Sequence, residues 1–184
     1  MSHPSVVYRR SMLMETGLTY HQDYFPAEDY KMWVDVLQHS NIYNLQQPLV
    51  EYRQHGGQIC RERREEQVIL ERRLHEEQLR LIYPNPTAEE LNFHLDRFVT
   101  LQPNSDKEVK QYYHWAKKLC DINQEHGYVK PDVMRSELYR YVQNAIRAYY
   151  LASYKGVFHH LFSGRFLNLD LKHNLSILRH GSRS

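Results

Sequence analysis

The sequence predicts an α+β chain that is predominantly α. Three observations predict it. Short β-prone runs and turns fill residues 1 to 60. From residue 61 onward, apolar residues recur at helical spacing almost without a break. Proline, glycine and Ser/Thr-x-x-Glu patterns punctuate that second stretch as they do the ends of helices. The organisation is therefore read as a segment 1–60 followed by a helical extension 61–184.

In the first segment, Ser5-Val6-Val7-Tyr8 is a β-prone run after Pro4. Arg9 to Glu15 reads as a short helix ending near Gly17, and Leu18 to Pro26 as a loop rich in Tyr, His and Asp. A helix is expected from Ala27-Glu28-Asp29 to about His39, with Tyr30, Trp33, Val34 and Leu37 as its apolar residues. Asn41 to Leu45 and Leu49 to Arg53 read as two short strands, with Pro48 on the turn side and Gly56-Gly57 as a break.

The second segment opens with a long charged helix, Arg61 to Tyr83, carrying Leu70, Leu74 and Leu81 on one side. Pro84-Asn85-Pro86 stops it. Thr87-Ala88-Glu89-Glu90 has the capping-box pattern and opens a helix to about Val99. Ser105 to Glu108 repeats that pattern for a helix running to Gly127, a C-terminal cap. Pro131-Asp132 opens another, where Met134, Leu138, Val142 and Ile146 form a core stripe. Four such helices can share a core, which predicts a bundle-like extension.

Composition narrows the function classes. The chain has 184 residues, 41% hydrophobic and 25% charged, which suits one domain, or one with an extension. A formal net charge of +2 gives no argument for nucleic acid. No apolar run approaches the roughly 18 residues of a membrane span, and MSHPSVVYRR carries no signal core. Cys60 and Cys120 stand far apart, without a C-x-x-C pattern. They read as buried or free thiols in a reducing cytoplasm.

The residues that carry chemistry fall between 3 and 60. Glu28 and Asp29 open a predicted helix, where acidic side chains are favoured simply because they offset the macrodipole. A carboxylate held there also stays ionised near neutral pH, and facing a hydroxyl it can act as a general base. Tyr52-Arg53-Gln54-His55 ends a strand with a guanidinium and an imidazole, groups suited to a phosphate or a metal ion. Taken singly, His55 reads as a solvent-exposed strand-end histidine and Arg9-Arg10 as a solvated surface pair.

Taken as a set, these residues have an order: His3-Pro4-Ser5 leading into Arg9-Arg10, then Phe25-Pro26-Ala27-Glu28-Asp29-Tyr30 with Trp33, then Tyr52-Arg53-Gln54-His55. The set resembles the C-terminal catalytic segment of bacterial family-2 glycosyltransferases, inverting enzymes of the glycosyltransferase A fold. The resemblance covers residues 3 to 60, and the helices beyond resemble more loosely the variable extensions of bacterial members. Cys60 and Gly56-Gly57 depart from the pattern.

The resemblance implies roles. Asp29 would be the catalytic base, deprotonating an acceptor hydroxyl that attacks the anomeric carbon of a nucleotide sugar with inversion. Glu28 would hold the acceptor or orient the base. Arg53 would neutralise the leaving diphosphate, with His3, Arg9 and Arg10 lining the site. His55 would join a divalent metal, Mn²⁺ or Mg²⁺, or contact the diphosphate. Trp33 would anchor the helix. The family also implies a preceding nucleotide-binding half with an Asp-x-Asp motif, and this sequence has neither that motif nor a Gly-rich phosphate loop. The chain therefore looks like the acceptor-side part of a longer enzyme. On its own it is expected to be inactive and without bound metal. Its residues 1 to 60 are expected to be partly disordered or covered by self-association.

The partners implied are a nucleotide-sugar donor and a glycan or lipid-linked acceptor in polysaccharide synthesis. A second reading, from a different class, is a non-catalytic helical module that binds a partner protein. The tail from Phe158 to Arg183 mixes apolar and basic residues. It reads as a closing helix on the bundle or as a peripheral contact with the inner face of an anionic membrane.

Overall fold

The computed structural model describes residues 3–51 and 62–152. The chain divides into two compact units, Met1–Gln78 and Leu79–Ser184. The boundary falls inside a helix, further along than the change of texture at residue 60.

The first unit begins with a 3₁₀ turn, His3–Ser5, followed by α1 (Arg10–Thr16). Gly17 closes α1 in the left-handed conformation at φ 69°, where its N–H donates to the Leu13 carbonyl at 2.9 Å. Glycine adopts that conformation without the Cβ cost other residues incur, so the sequence signal was sound. A 3₁₀ turn at Gln22–Tyr24 and a cis Phe25–Pro26 peptide lead to α2 (Glu28–His39). Residues 41–51 have no regular secondary structure, and the next described helix is α3 (Arg64–Ile82).

No strand forms among the described residues, so the expected strands over residues 5–8, 41–45 and 49–51 are corrected: Ser5 closes the opening 3₁₀ turn, and the others are unpaired chain without regular structure. The physical reason is that a strand is defined by its neighbour. Its N–H and C=O groups must meet another backbone, and an isolated pair of strands is marginal even when they do meet. Here the β-prone side chains stand in solvent: Val7 is 93% exposed and Tyr43 79%. The rest of the second expected strand, through Arg53, lies outside the described residues.

Helix α2 buries Met32, Val34 and Val36 together with Asp35, while Leu37, expected on the apolar face, is exposed. Buried Asp35 is charge-paired: Lys31 Nζ donates to its Oδ1 at 2.5 Å, and His21 Nε2 lies 3.4 Å from its Oδ2. A buried carboxylate without such partners would be strongly destabilising. The small core of this unit joins Tyr24, Ala27 and fully buried Leu74, with Tyr30 and Leu70 packed on it. The Tyr24 hydroxyl donates to Glu77, and burial, then this acceptor, pushes its pKa up to about 12. Leu81 does not continue the Leu70–Leu74 face. It is exposed, and Leu79 is the buried leucine of that turn.

The second unit runs from the last turn of α3 through α4 (Ala88–Phe93), a π-helical turn at His94–Phe98, α5 (Asp106–His126) and α6 (Pro131–Ala152). Its core combines Phe98, Tyr112, Trp115, Leu119, Val142 and Ile146, with Met134 also buried and Leu138 half-buried, as the stripe predicted. Burying each large apolar side chain contributes about 1.5–3 kcal/mol. The Thr87 capping box is complete: Thr87 Oγ1 accepts from Glu90 N at 3.2 Å, and Glu90 Oε2 accepts from Thr87 N at 2.9 Å. The Ser105 box is only half formed. Ser105 caps Glu108 N, but the Glu108 carboxylate takes Asn104 N and Arg97 instead.

Glu90 also accepts from Lys118 and from Tyr83 Oη. Lys118 foremost, with these hydrogen bonds, holds its carboxyl at about 2 against an ordinary 4.5. A lowered carboxyl pKa stabilises the fold above the unfolded value and is lost as pH falls through the folded one. Urea midpoints of the chain and its Glu90→Gln variant are therefore expected to differ most above pH 4.5, and to converge towards pH 2. Curves separated equally at every pH would contradict this.

Candidate functional site

The residues singled out by the sequence come together around the start of α2. Asp29 sits in its first turn. Its Oδ1 accepts from the Tyr30 N–H at 2.7 Å, which fixes the carboxylate against the helix. Its Oδ2 faces His3 Nδ1 at 3.8 Å, and the side chain stays 25% exposed. The carboxylate is thus held and reachable, with the positive end of a helix dipole behind it.

His3 is in turn engaged by Tyr20. The Tyr20 hydroxyl lies 3.2 Å from His3 Nε2, and the two rings stack with centroids 5.4 Å apart. The Tyr8 hydroxyl lies beside the Tyr20 hydroxyl and the Trp33 indole. Burial first, then Tyr20, raises its pKa to about 12, and the Asp29 charge adds to that rise. These neighbours are close enough to act on its ionisation but are not in hydrogen-bonding geometry, so Tyr8 Oη has no partner among the described residues. Glu28 Oε2 and Trp33 Nε1 are likewise buried without a hydrogen-bond partner. Buried polar atoms are rarely left so, because each costs about 1–3 kcal/mol unmade.

A groove of about 1150 Å³ lies alongside, between residues 5–15, one face of α2 and the irregular chain 40–50. Val7, Tyr8, Arg9, Trp33, Tyr43 and Leu49 are among its walls. Trp33 and Tyr8 border it and also belong to the cluster around Asp29. Arg9 lines the groove, and Arg10 is exposed at the first position of α1.

Of the residues expected in the site, the fold brings His3, Glu28, Asp29 and Trp33 into one neighbourhood, with Arg9 in the adjoining groove. Arg53 and His55, assigned to the diphosphate and the metal, lie outside the described residues, as do Cys60, Gly56-Gly57 and the tail 158–183. Among the described residues no three His, Cys, Asp or Glu side chains converge as metal ligands, and no helix is long and apolar enough to cross a membrane. Cys120 is a buried free thiol whose pKa burial raises. Sequence reasoning missed Tyr8 and Tyr20. The only signal for Tyr20 was its place in a loop dense in Tyr, His and Asp.

Comparison with known proteins adds no relative: no family model matches the chain, and neither the curated proteins nor the solved structures give a significant match.

Proposed function

We propose that this chain is the acceptor-side part of an inverting glycosyltransferase, in which Asp29 is the general base. The observation that carries the reading is the carboxylate of Asp29. It is fixed by the Tyr30 N–H, partly open to solvent, and set in a cluster with unsatisfied polar atoms. A base of this kind can take the proton of an acceptor hydroxyl as that oxygen bonds to the anomeric carbon of a nucleotide sugar. The sugar–diphosphate bond breaks on the opposite side, which gives inversion.

Glu28, next in the chain, would hold a second acceptor hydroxyl. Arg53 and His55 would serve the diphosphate and a divalent metal. The electrophile itself would be presented by a nucleotide-binding half, and without that half a well-placed base has nothing in front of it. The unpaired β-prone stretches support this division, because their backbone groups would find partners in a larger sheet.

Amide NMR titrations of the chain test the reading. Oligosaccharide acceptors are expected to shift the signals of His3, Tyr20, Glu28, Asp29 and Tyr30. UDP, GDP and dTDP, with or without Mn²⁺, are expected to leave the spectrum and the melting temperature unchanged. Failure of every acceptor in a broad glycan panel would overturn the acceptor-site reading. A metal-dependent nucleotide shift would overturn the division into halves.

The competing reading is a helical protein-interaction module. It predicts that perturbations would arise only from protein partners, and on the exposed faces of α4, α5 and α6.

A further inference from the structure

The arrangement of Tyr20, His3 and Asp29 carries an inference that deepens the proposed function and rests on it. We propose that His3 is a positioning residue for the Asp29 base, held by Tyr20 in the tautomer that points an N–H at the carboxylate.

An imidazole has two distinct nitrogens, and the partner of one decides the state of the other. Tyrosine's hydroxyl is a good donor, and at 3.2 Å it is placed to give its proton to His3 Nε2. An Nε2 that accepts cannot carry hydrogen in neutral imidazole, so the proton sits on Nδ1. Nδ1 is the atom facing Asp29 Oδ2. The stacking of the two rings limits rotation of the imidazole and keeps this order of atoms.

The 3.8 Å separation is an approach and not yet a hydrogen bond. A shift of under about 1 Å would close it, and such bonds commonly tighten when substrate binds. Asp29 would then have Oδ1 tied to the Tyr30 N–H and one lone pair of Oδ2 tied to His3. The remaining lone pair of Oδ2 would be aimed at the acceptor hydroxyl. The device fixes the plane of the base without protonating it. Neither Tyr20 nor His3 touches the reacting atoms.

The groups facing His3 across this arrangement are the Tyr20 hydroxyl and the Asp29 carboxylate.

The test is long-range ¹⁵N–¹H NMR of the imidazoles in the 184-residue chain, at a pH where they are neutral. Free neutral imidazole side chains favour the Nε2–H form. His3 is expected to appear chiefly as Nδ1–H, and Tyr20→Phe is expected to return it to Nε2–H. Because Tyr20 is part-exposed, the variant should keep its fold, and dispersed amide signals for α2 would verify that. A wild-type His3 in the Nε2–H form, or a tautomer ratio indifferent to Tyr20→Phe in the folded variant, overturns the proposal. The readout involves neither donor nor acceptor. A default tautomer therefore defeats the positioning role and leaves the proposed function standing, whereas failure of acceptor binding defeats the proposed function whatever the tautomer.

Discussion

Asp29→Asn is expected to lower sugar transfer roughly 10²- to 10⁴-fold in the enzyme assembled with its nucleotide-binding half, the range general-base catalysis usually supplies. The substitution is nearly isosteric. An Asn side chain still offers Oδ1 to the Tyr30 N–H, so the first turn of α2 keeps its local bond. What is lost is the charge near the helix N-terminus, worth about 0.3–1 kcal/mol at an exposed site. A large fall in rate with a small change in melting temperature is the expected signature. Glu28→Gln should behave differently, raising the acceptor KM more than it lowers kcat, because Glu28 is proposed to hold the acceptor and not to take its proton. Rates for Asp29→Asn within a factor of a few of the parent would remove Asp29 from the chemistry. They would leave the interaction-module reading in its place.

Several helices were legible because they carry their own boundary chemistry. Gly17 and Gly127 end α1 and α5 in the left-handed conformation, at φ 69° and 68°. Thr87 and Glu90 satisfy each other's backbone donors, and Pro131 opens α6. All of this is decided within a few residues of chain. The strands were not legible in the same sense. Residues 5–8 and 41–45 have β-prone side chains, but pairing needs a second backbone that local sequence cannot supply. The burial of Asp35 in place of Leu37 is also tertiary. Lys31 lies one turn back on the same helix, but His21 must arrive from the turn before it to reach the carboxylate. The site divides along the same line. Glu28-Asp29 could be found as a pair at a helix start, whereas the contact of Tyr20 with His3 crosses seventeen residues and exists only once the intervening turns have formed. The same holds for the Trp115 indole, which donates to His94 Nδ1 at 3.0 Å across twenty-one residues.

Asn123→Ala is expected to be among the most damaging changes to the second unit, at about 2–4 kcal/mol. Asn123 is fully buried in the last turns of α5. Its Nδ2 donates to the Val129 carbonyl at 2.7 Å, and its Oδ1 accepts the Val129 N–H at 2.8 Å. Its own carbonyl accepts the Gly127 N–H at 2.7 Å. One residue thus ends α5 and clips the connection that leads into α6. Alanine would keep the helical backbone but strand both polar groups of Val129, and the loss of a buried partner costs more than the bond itself gave. Asn123→Asp would be no remedy. The carboxylate could still take the N–H, but its second oxygen would face the Val129 carbonyl and neither could donate. Asp121→Ala, two residues away, removes only an exposed ion pair with Lys117 and should change stability by under about 1 kcal/mol. Urea unfolding of the three variants measures the contrast, through a lowered midpoint at constant slope for the two Asn123 changes. If Asn123→Ala unfolded at the parent's midpoint, the connection would have to be held by the Gly127 cap and the packing of Met134 alone. The buried amide would then be a passenger in the αα-hairpin and not its clip.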